Sequence, residues 1–239
     1  MLYKNKTPLF IGHRGSPWKF AENTPKSFLY TIESGADGVE MDVQITKDQE
    51  IIVFHDYFID WKNKEYQIVN FSYSKLNEIF LKKYNQKIFL LDEVLQTIPN
   101  NIFLNIEIKS KSMNNKIFVE KLGFTLNQNN LSESIVISSF NYLVIYQYQK
   151  IFKNTPIGLL LDNINQFKIY RVKFYKYFIK PKFIHCNYIH LTPQFIEWAQ
   201  SNKIPIIAYT VNDFKDLEKC INMGVYGIIT DNYNFYNRL

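Results

Sequence analysis

From residue 102 to residue 229 the chain alternates, without an obvious sequence repeat, between runs of four to seven mostly apolar and β-branched residues and longer stretches with helical spacing. Short apolar runs bounded by turn residues read as strands, and the stretches between them as helices. The strand-like runs fall at 102–108, 134–137, 156–161, 183–188, 205–211 and 226–229, with helical spacing at 116–127, 142–152, 164–178, 193–201 and 214–222. Two more strands precede them, at 7–12 and 39–45, with a helix between at 25–33 whose start is marked by Thr24 as N-cap and Pro25 at the first helical position. Strands separated by helix-length crossovers re-enter a sheet in the same direction, so eight such units point to a parallel α/β architecture.

A (β/α)8 TIM barrel is the economical arrangement, and 239 residues suit one such domain spanning 1–239. A doubly wound open sheet is the alternative, but no Gly-rich phosphate loop follows any strand. The alternation is interrupted once, by a short insertion after the second strand. A return strand at 50–54 leads into an irregular, aromatic segment over 57–90, helical only at 74–82, before a short helix at 92–97. A turn at Asp48-Gln49 sets His55 opposite Asp42 in the resulting hairpin.

An apolar fraction of 46% with 21% charged residues, and no stretch approaching ~18 uninterrupted apolar residues, describe a soluble globular chain. The first ten residues lack the apolar core and small-residue cleavage site of a signal peptide, so the expected location is cytoplasmic. Cys186 and Cys220 lie inside apolar patterns without metal-type spacing and read as buried thiols. The net charge of +6 favours anionic partners.

In a barrel of this kind, active sites gather at the carboxyl ends of the strands. Polar residues fall there repeatedly: His13 and Arg14, Glu40 and Asp42, Glu107 and Lys109, Ser138 and Ser139, His185 and Asn187, Thr210 and Asn212, Thr230 and Asp231. Glu40-Met41-Asp42 places two carboxylates on one strand face, and Glu107-Ile108-Lys109 repeats the spacing with opposite charges. Taken singly, each pair reads as an exposed strand face or salt-bridged filler. Placed together beside His13, they read as a site. Glu40, Asp42 and Glu107 offer hard oxygens suited to a divalent cation, Mg²⁺ or Ca²⁺ before Zn²⁺. His13 and His55 can act as the acid and base of a proton-transfer reaction. Arg14 and Lys109 can hold phosphate oxygens. His185 and His190 take no catalytic part in this reading; His185 is assigned a supporting role.

These residues also carry a family resemblance. His13-Arg14-Gly15, Glu22-Asn23-Thr24, the stretch GADGVEMDVQITKD over 35–48, and His55-Asp56 resemble the glycerophosphodiester phosphodiesterase family. The similarity continues through Leu91-Asp92-Glu93-Val94-Leu95, Asn105-Ile106-Glu107-Ile108-Lys109, Ile137-Ser138-Ser139-Phe140, Tyr209-Thr210-Val211-Asn212 and Gly227-Ile228-Ile229-Thr230-Asp231. The resemblance implies a TIM barrel and hydrolysis of a glycerophosphodiester to glycerol 3-phosphate and an alcohol such as choline or ethanolamine. It further implies His13 and His55 as the general acid/base pair, Glu40, Asp42 and Glu107 as ligands of a divalent cation, and Arg14 and Lys109 as phosphate contacts. In related barrels a substrate hydroxyl attacks and a cyclic phosphate forms, a route open here as well.

The chain departs from the family pattern around the site. Tyr57-Phe58-Ile59-Asp60-Trp61-Lys62 replaces a stretch that usually carries Asp-Arg and Thr-Gly, and Tyr209 stands where the family usually has tryptophan. Phe58, Trp61, Tyr66, Phe71 and Tyr73 would make the mouth more apolar, which suits a lysophospholipid. Alternating basic and aromatic residues over 164–183 fit peripheral membrane contact. The competing reading there is an outer barrel helix with Phe167, Tyr170, Phe174 and Phe178 at core spacing, and it is the favoured one. Alternatives to the diesterase are therefore a lysophospholipase D on the same barrel or a catalytically idle lipid- or phosphate-binding protein. Retention of every acid/base and metal position speaks against the idle protein. No nucleic-acid partner is expected.

Overall fold

The computed structural model describes residues 8–129, 135–162, 174 and 177–236. Eight parallel strands close on themselves: β1 (Leu9–Gly12), β2 (Gly38–Ile45), β7 (Phe103–Ile108), β8 (Ile135–Ser139), β9 (Ile157–Leu161), β10 (Phe183–Asn187), β11 (Ile206–Tyr209) and β12 (Gly227–Thr230). β1 pairs with both β12 and β2, which completes the ring. The helices α1 (Pro25–Glu33), α3 (Leu91–Leu95), α4 (Lys116–Gln128), α5 (Tyr142–Ile151), α6 (Pro193–Ser201) and α7 (Phe214–Asn222) alternate with these strands. The barrel expected from the sequence is the barrel observed. The helix expected at 164–178 falls almost wholly outside the described residues.

The helices begin where the sequence marks them. Thr24 accepts from the Ser27 N–H and Pro25 opens α1; Thr192 and Pro193 repeat the device at α6. Outward side chains of the strands, such as Val39, Met41, Leu104, Ile106 and Ile137, pack against Phe28, Phe118, Leu122 and Tyr148 of the helices. Inside the barrel the lower layer is apolar, with Leu9, Ile11, Phe103, Val136, Phe183, Ile207 and Ile229 in one cluster. Above it the inward positions turn polar. Along β7 the same face runs Phe103, Asn105, Glu107, and all three are buried. This gradient from apolar to charged along the barrel axis places the ionisable groups at the carboxyl ends of the strands.

The insertion is ordered. β3 (Ile51–Val53) returns antiparallel along the upper part of β2, and β6 (Phe89–Leu90) pairs with β3. Between them lie the hairpin of β4 (Phe58–Trp61) with β5 (Lys64–Gln67) and the helix α2 (Tyr73–Tyr84). Of the aromatics expected at the mouth, Trp61, Phe71 and Tyr73 instead pack on a satellite core of Ile52, Ile59, Ile68, Leu76 and Ile79. Tyr66 meets Phe71 edge-on at 5.5 Å. A hairpin this short cannot bury its backbone against the barrel without its own apolar floor, and these rings supply it.

The return strand pairs one residue out of the expected register. Val43, Gln44 and Ile45 face Val53, Ile52 and Ile51, and the Phe54 N–H donates to the Asp42 carbonyl at 3.0 Å. Asp42 therefore lies opposite Phe54 and not His55. The turn is the cause: a three-residue loop closed by the Thr46 N–H on the Glu50 carbonyl at 2.9 Å, with Gln49 at φ 66°, replaces the two-residue turn.

No helix among the described residues is long and apolar enough to cross a membrane. Phe174 and Phe178, assigned to the core by their spacing, are 59% and 56% exposed, with ring centroids 5.1 Å apart. Phe178 lies shortly before the start of β10, hence toward the end of the barrel opposite the charged layer. Cys186 and Cys220 are buried free thiols, as the sequence suggests, and burial pushes them up to about 12 and about 11.

Candidate active site

β1 ends at Gly12, and His13-Arg14-Gly15 turns over the mouth of the barrel with Arg14 and Gly15 at φ 54° and 90°. A Cβ on Gly15 would stand 2.3 Å from Ser27 Oγ, so the turn accepts only glycine. The Arg14 N–H donates to Glu40 Oε2 at 3.0 Å, while its guanidinium faces Glu22 at 3.0 Å and Asp42 at 3.3 Å. Backbone and side chain of one residue thus meet three carboxylates.

Glu40, Asp42 and Glu107 are all buried, and one oxygen from each lies within 4.8 Å of the other two. The parallel register explains the meeting, since Asp42 on β2 stands beside Glu107 on β7. Burial, then the charges of Asp42 and Glu107, push the Glu40 carboxyl well above the usual range. Burial, then Asp42, push Glu107 up to about 7. Carboxyls raised by mutual repulsion are relieved by a cation, and three anionic oxygens at this spacing fit a hard divalent ion. Asn23, at φ 57°, holds Asp42 from both sides: its amide donates to Oδ2 at 3.0 Å and its carbonyl oxygen accepts the Asp42 N–H at 3.2 Å.

Lys109 comes from the end of β7 and reaches Glu107 at 2.9 Å and Asp42 at 3.8 Å. Burial lowers its pKa, but Glu107 and Asp42 outweigh burial and leave it above the ordinary value.

Each histidine is oriented through Nδ1 by a carboxylate. His13 Nδ1 stands 2.7 Å from Asp231 Oδ1, and His55 Nδ1 2.7 Å from Asp56 Oδ1. With Nδ1–H donating, Nε2 of both rings is left for a reacting atom. Asp231 is itself fixed by Asn212, whose amide donates to Oδ2 at 2.6 Å and whose carbonyl oxygen accepts the Asp231 N–H at 2.8 Å. Burial raises the Asp231 carboxyl, but the hydrogen bond and charge of His13 bring it below the usual range. Burial holds His55 below the usual imidazole value, against the pull of Asp42 and with the help of Lys109 and Arg14. Gln44 donates to the carbonyls of Phe54 and Asp56 at 3.0 and 2.8 Å, and so pins the peptide on both sides of His55.

The seven candidate residues of the sequence therefore surround one mouth. The structure adds Asp231, Asn212, Asn23, Gln44 and the Asp56 contact. Asp231 and Asn212 stand out in the sequence as polar residues at strand ends and within motifs of the resemblance, but without assigned partners; the contact of Asp231 with His13 spans 218 residues and exists because β12 closes against β1. His185 lies in the barrel interior, fully buried, and burial pushes it down to about 3.

A closed parallel barrel with carboxylates, imidazoles and cations converging at the carboxyl ends of its strands defines a TIM-barrel enzyme. Residues 13–234 match the model of the glycerophosphoryl diester phosphodiesterase family, and the chain belongs to that family. A glycerophosphodiester phosphodiesterase of Caldanaerobacter subterraneus subsp. tengcongensis is 33% identical over 234 residues, covering 93% of each chain. The crystal structure of a glycerophosphodiester phosphodiesterase from Thermotoga maritima is 27% identical, with a TM-score of 0.77 over 97% of this chain and 98% of that one. A phosphodiesterase from Oleispira antarctica, solved with its product sn-glycerol-3-phosphate, shares the fold at a TM-score of 0.83 and 21% identity, covering 96% of this chain and 95% of that one.

Proposed function

We propose that this chain is a cytoplasmic, metal-dependent phosphodiesterase that hydrolyses glycerophosphodiesters to glycerol 3-phosphate and an alcohol. Arg14 and Lys109 hold the scissile phosphate, the arginine through more than one donor. His13 and His55 divide the proton transfers: one imidazole takes the proton from the attacking water or substrate hydroxyl as the new P–O bond forms, and the other protonates the departing alkoxide as the old bond breaks. Where the substrate hydroxyl attacks, water opens the resulting cyclic phosphate in a second step to give glycerol 3-phosphate. Glu40, Asp42 and Glu107 hold the cation, Mg²⁺ or Ca²⁺. When bound, it offsets charge developing on the phosphoryl oxygens. The insertion at 57–90 borders this site within the same domain.

The observation that carries the reading is the pairing of two carboxylate-oriented imidazoles with a buried triad of carboxylates whose oxygens lie within 4.8 Å of one another. Packing of Trp61, Phe71 and Tyr73 against the satellite core leaves Tyr57 and Phe58 as the partly exposed aromatics lining the cleft beside Lys109, a smaller apolar surface than a lysophospholipid chain would use, and favours water-soluble diesters. The test is release of glycerol 3-phosphate from glycerophosphoglycerol and glycerophosphocholine, and of choline from lysophosphatidylcholine, each with and without chelator. Chelator-sensitive release from the first two supports the reading. Full turnover by a His13→Ala variant would overturn the mechanism.

A further inference from the structure

Beside Lys109 a cleft of about 820 Å³ opens between the insertion and the loop that follows β7. Its lining includes Lys47, Lys109, Lys111 and Lys116 and contains no aspartate or glutamate. Lys109 is answered by Glu107 and Asp42, and Lys116 lies 4.0 Å from Glu120. Lys111 has no carboxylate within 4 Å among the described residues; its ammonium lies 4.4 Å from the centre of the Tyr57 ring and 5.0 Å from that of Phe58. The Lys109 ammonium lies 5.5 Å from the same Tyr57 ring. The two lysines therefore share one aromatic ring, Lys109 on the side of the carboxylates and Lys111 farther along the cleft.

That arrangement discriminates among leaving groups. A quaternary ammonium is recognised by aromatic faces left open to it. Here the partly exposed rings of the cleft, Tyr57 and Phe58, already carry ammonium groups, and the remaining charge of the lining repels a cation. An anion meets the opposite conditions: unanswered lysine charge, and none of the cleft's lining residues an acid.

We propose that this cleft is a subsite for an anionic leaving group, centred on Lys111, so that the chain prefers diesters whose alcohol carries a second phosphate charge. The inference rests on the phosphodiesterase reading and adds to it the class of alcohol. Placing the scissile phosphate on Lys109 and the second anion on Lys111 uses the two ammoniums in the order in which the cleft presents them.

The experiment compares kcat/KM for bis(glycerophospho)glycerol, glycerophosphoglycerol and glycerophosphocholine, whose leaving groups are anionic, neutral and cationic. The expected order is anionic, neutral, cationic, with about tenfold between the first and second, the scale of one partly exposed charge pair. Lys111→Gln should remove that tenfold and leave glycerophosphoglycerol turnover unchanged; Lys111→Glu should invert the order. Raising the salt from 0.05 to 0.5 M should compress the preference, because exposed charge pairs are screened. Equal turnover of all three diesters, or a preference untouched by Lys111→Glu, would overturn the subsite and leave the diesterase standing. Absence of turnover on every diester would overturn both.

Discussion

His13 and Asp231 are joined by a 2.7 Å hydrogen bond across the seam where the last barrel strand closes against the first. The carboxylate selects the tautomer with hydrogen on Nδ1 and turns Nε2 toward the mouth. Asp231→Asn keeps the shape but offers the ring an amide, and can hold the wrong tautomer. We expect kcat to fall by roughly 10²–10⁴-fold, the range for losing general acid–base catalysis, with a much smaller change in KM. Steady-state kinetics beside a circular dichroism melt check this, since a merely structural Asp231 would lower the melting temperature and spare kcat.

The carboxylate triad predicts proton-coupled metal binding. Glu107 sits at about 7 and Glu40 is raised as well, so near neutrality the empty site holds protons that a cation must displace. The sign follows: binding Mg²⁺ or Ca²⁺ at pH 7 releases protons, and apparent affinity rises as pH rises through 7. Calorimetric titration in two buffers of different ionisation enthalpy measures the released protons directly. Glu107→Gln removes part of that release and weakens binding.

Gly15 predicts a link between backbone strain and phosphate recognition. At φ 90°, with a Cβ position 2.3 Å from Ser27 Oγ, alanine must displace the turn that carries Arg14. Gly15→Ala should cost about 1–3 kcal/mol of stability, the scale for a strained residue at a functional turn. It should also raise KM, because the Arg14 N–H and guanidinium lose their register on Glu40 and Asp42. Chemical denaturation and kinetics on the same preparation separate the two effects.

The parts of this molecule legible in the sequence are those set by local periodicity. Eight apolar runs spaced by helices define the barrel, and the spacing of Glu40 with Asp42 and of Glu107 with Lys109 puts four charges at its mouth. Asp231 was legible as a polar residue at a strand end but not as the partner of His13, since that contact is a property of ring closure. The hairpin register was missed because Gln49 adopts a left-handed conformation with no glycine to announce it. Trp61, Phe71 and Tyr73 were misplaced for a related reason. In an insertion of short elements, here the end of β4, a turn and the start of α2, which face meets a core is decided by what packs beneath, and that is the satellite cluster around Ile68 and Leu76.

His185 predicts a pH dependence of stability unconnected with catalysis. The imidazole is fully buried in the barrel interior, and neither ring nitrogen has a hydrogen-bond partner among the described residues. Nε2 is 2.8 Å from where a Cβ on Gly158 would lie, so the ring fills space that glycine leaves. Burial pushes its pKa down to about 3, against an ordinary value of 6.5. Between those values the unfolded chain binds a proton that the folded chain does not, so this residue's contribution is complete above pH 6.5 and is lost as pH falls toward 3. The slope is about 1.4 kcal/mol per pH unit for one proton. His185→Leu removes the titration while keeping an apolar side chain in the same space. Urea unfolding of the two proteins between pH 4 and 6 should show the variant with the shallower pH dependence by one proton. Parallel slopes would mean that the imidazole charges in place, and hence that water or a neighbouring group reaches the interior of the barrel.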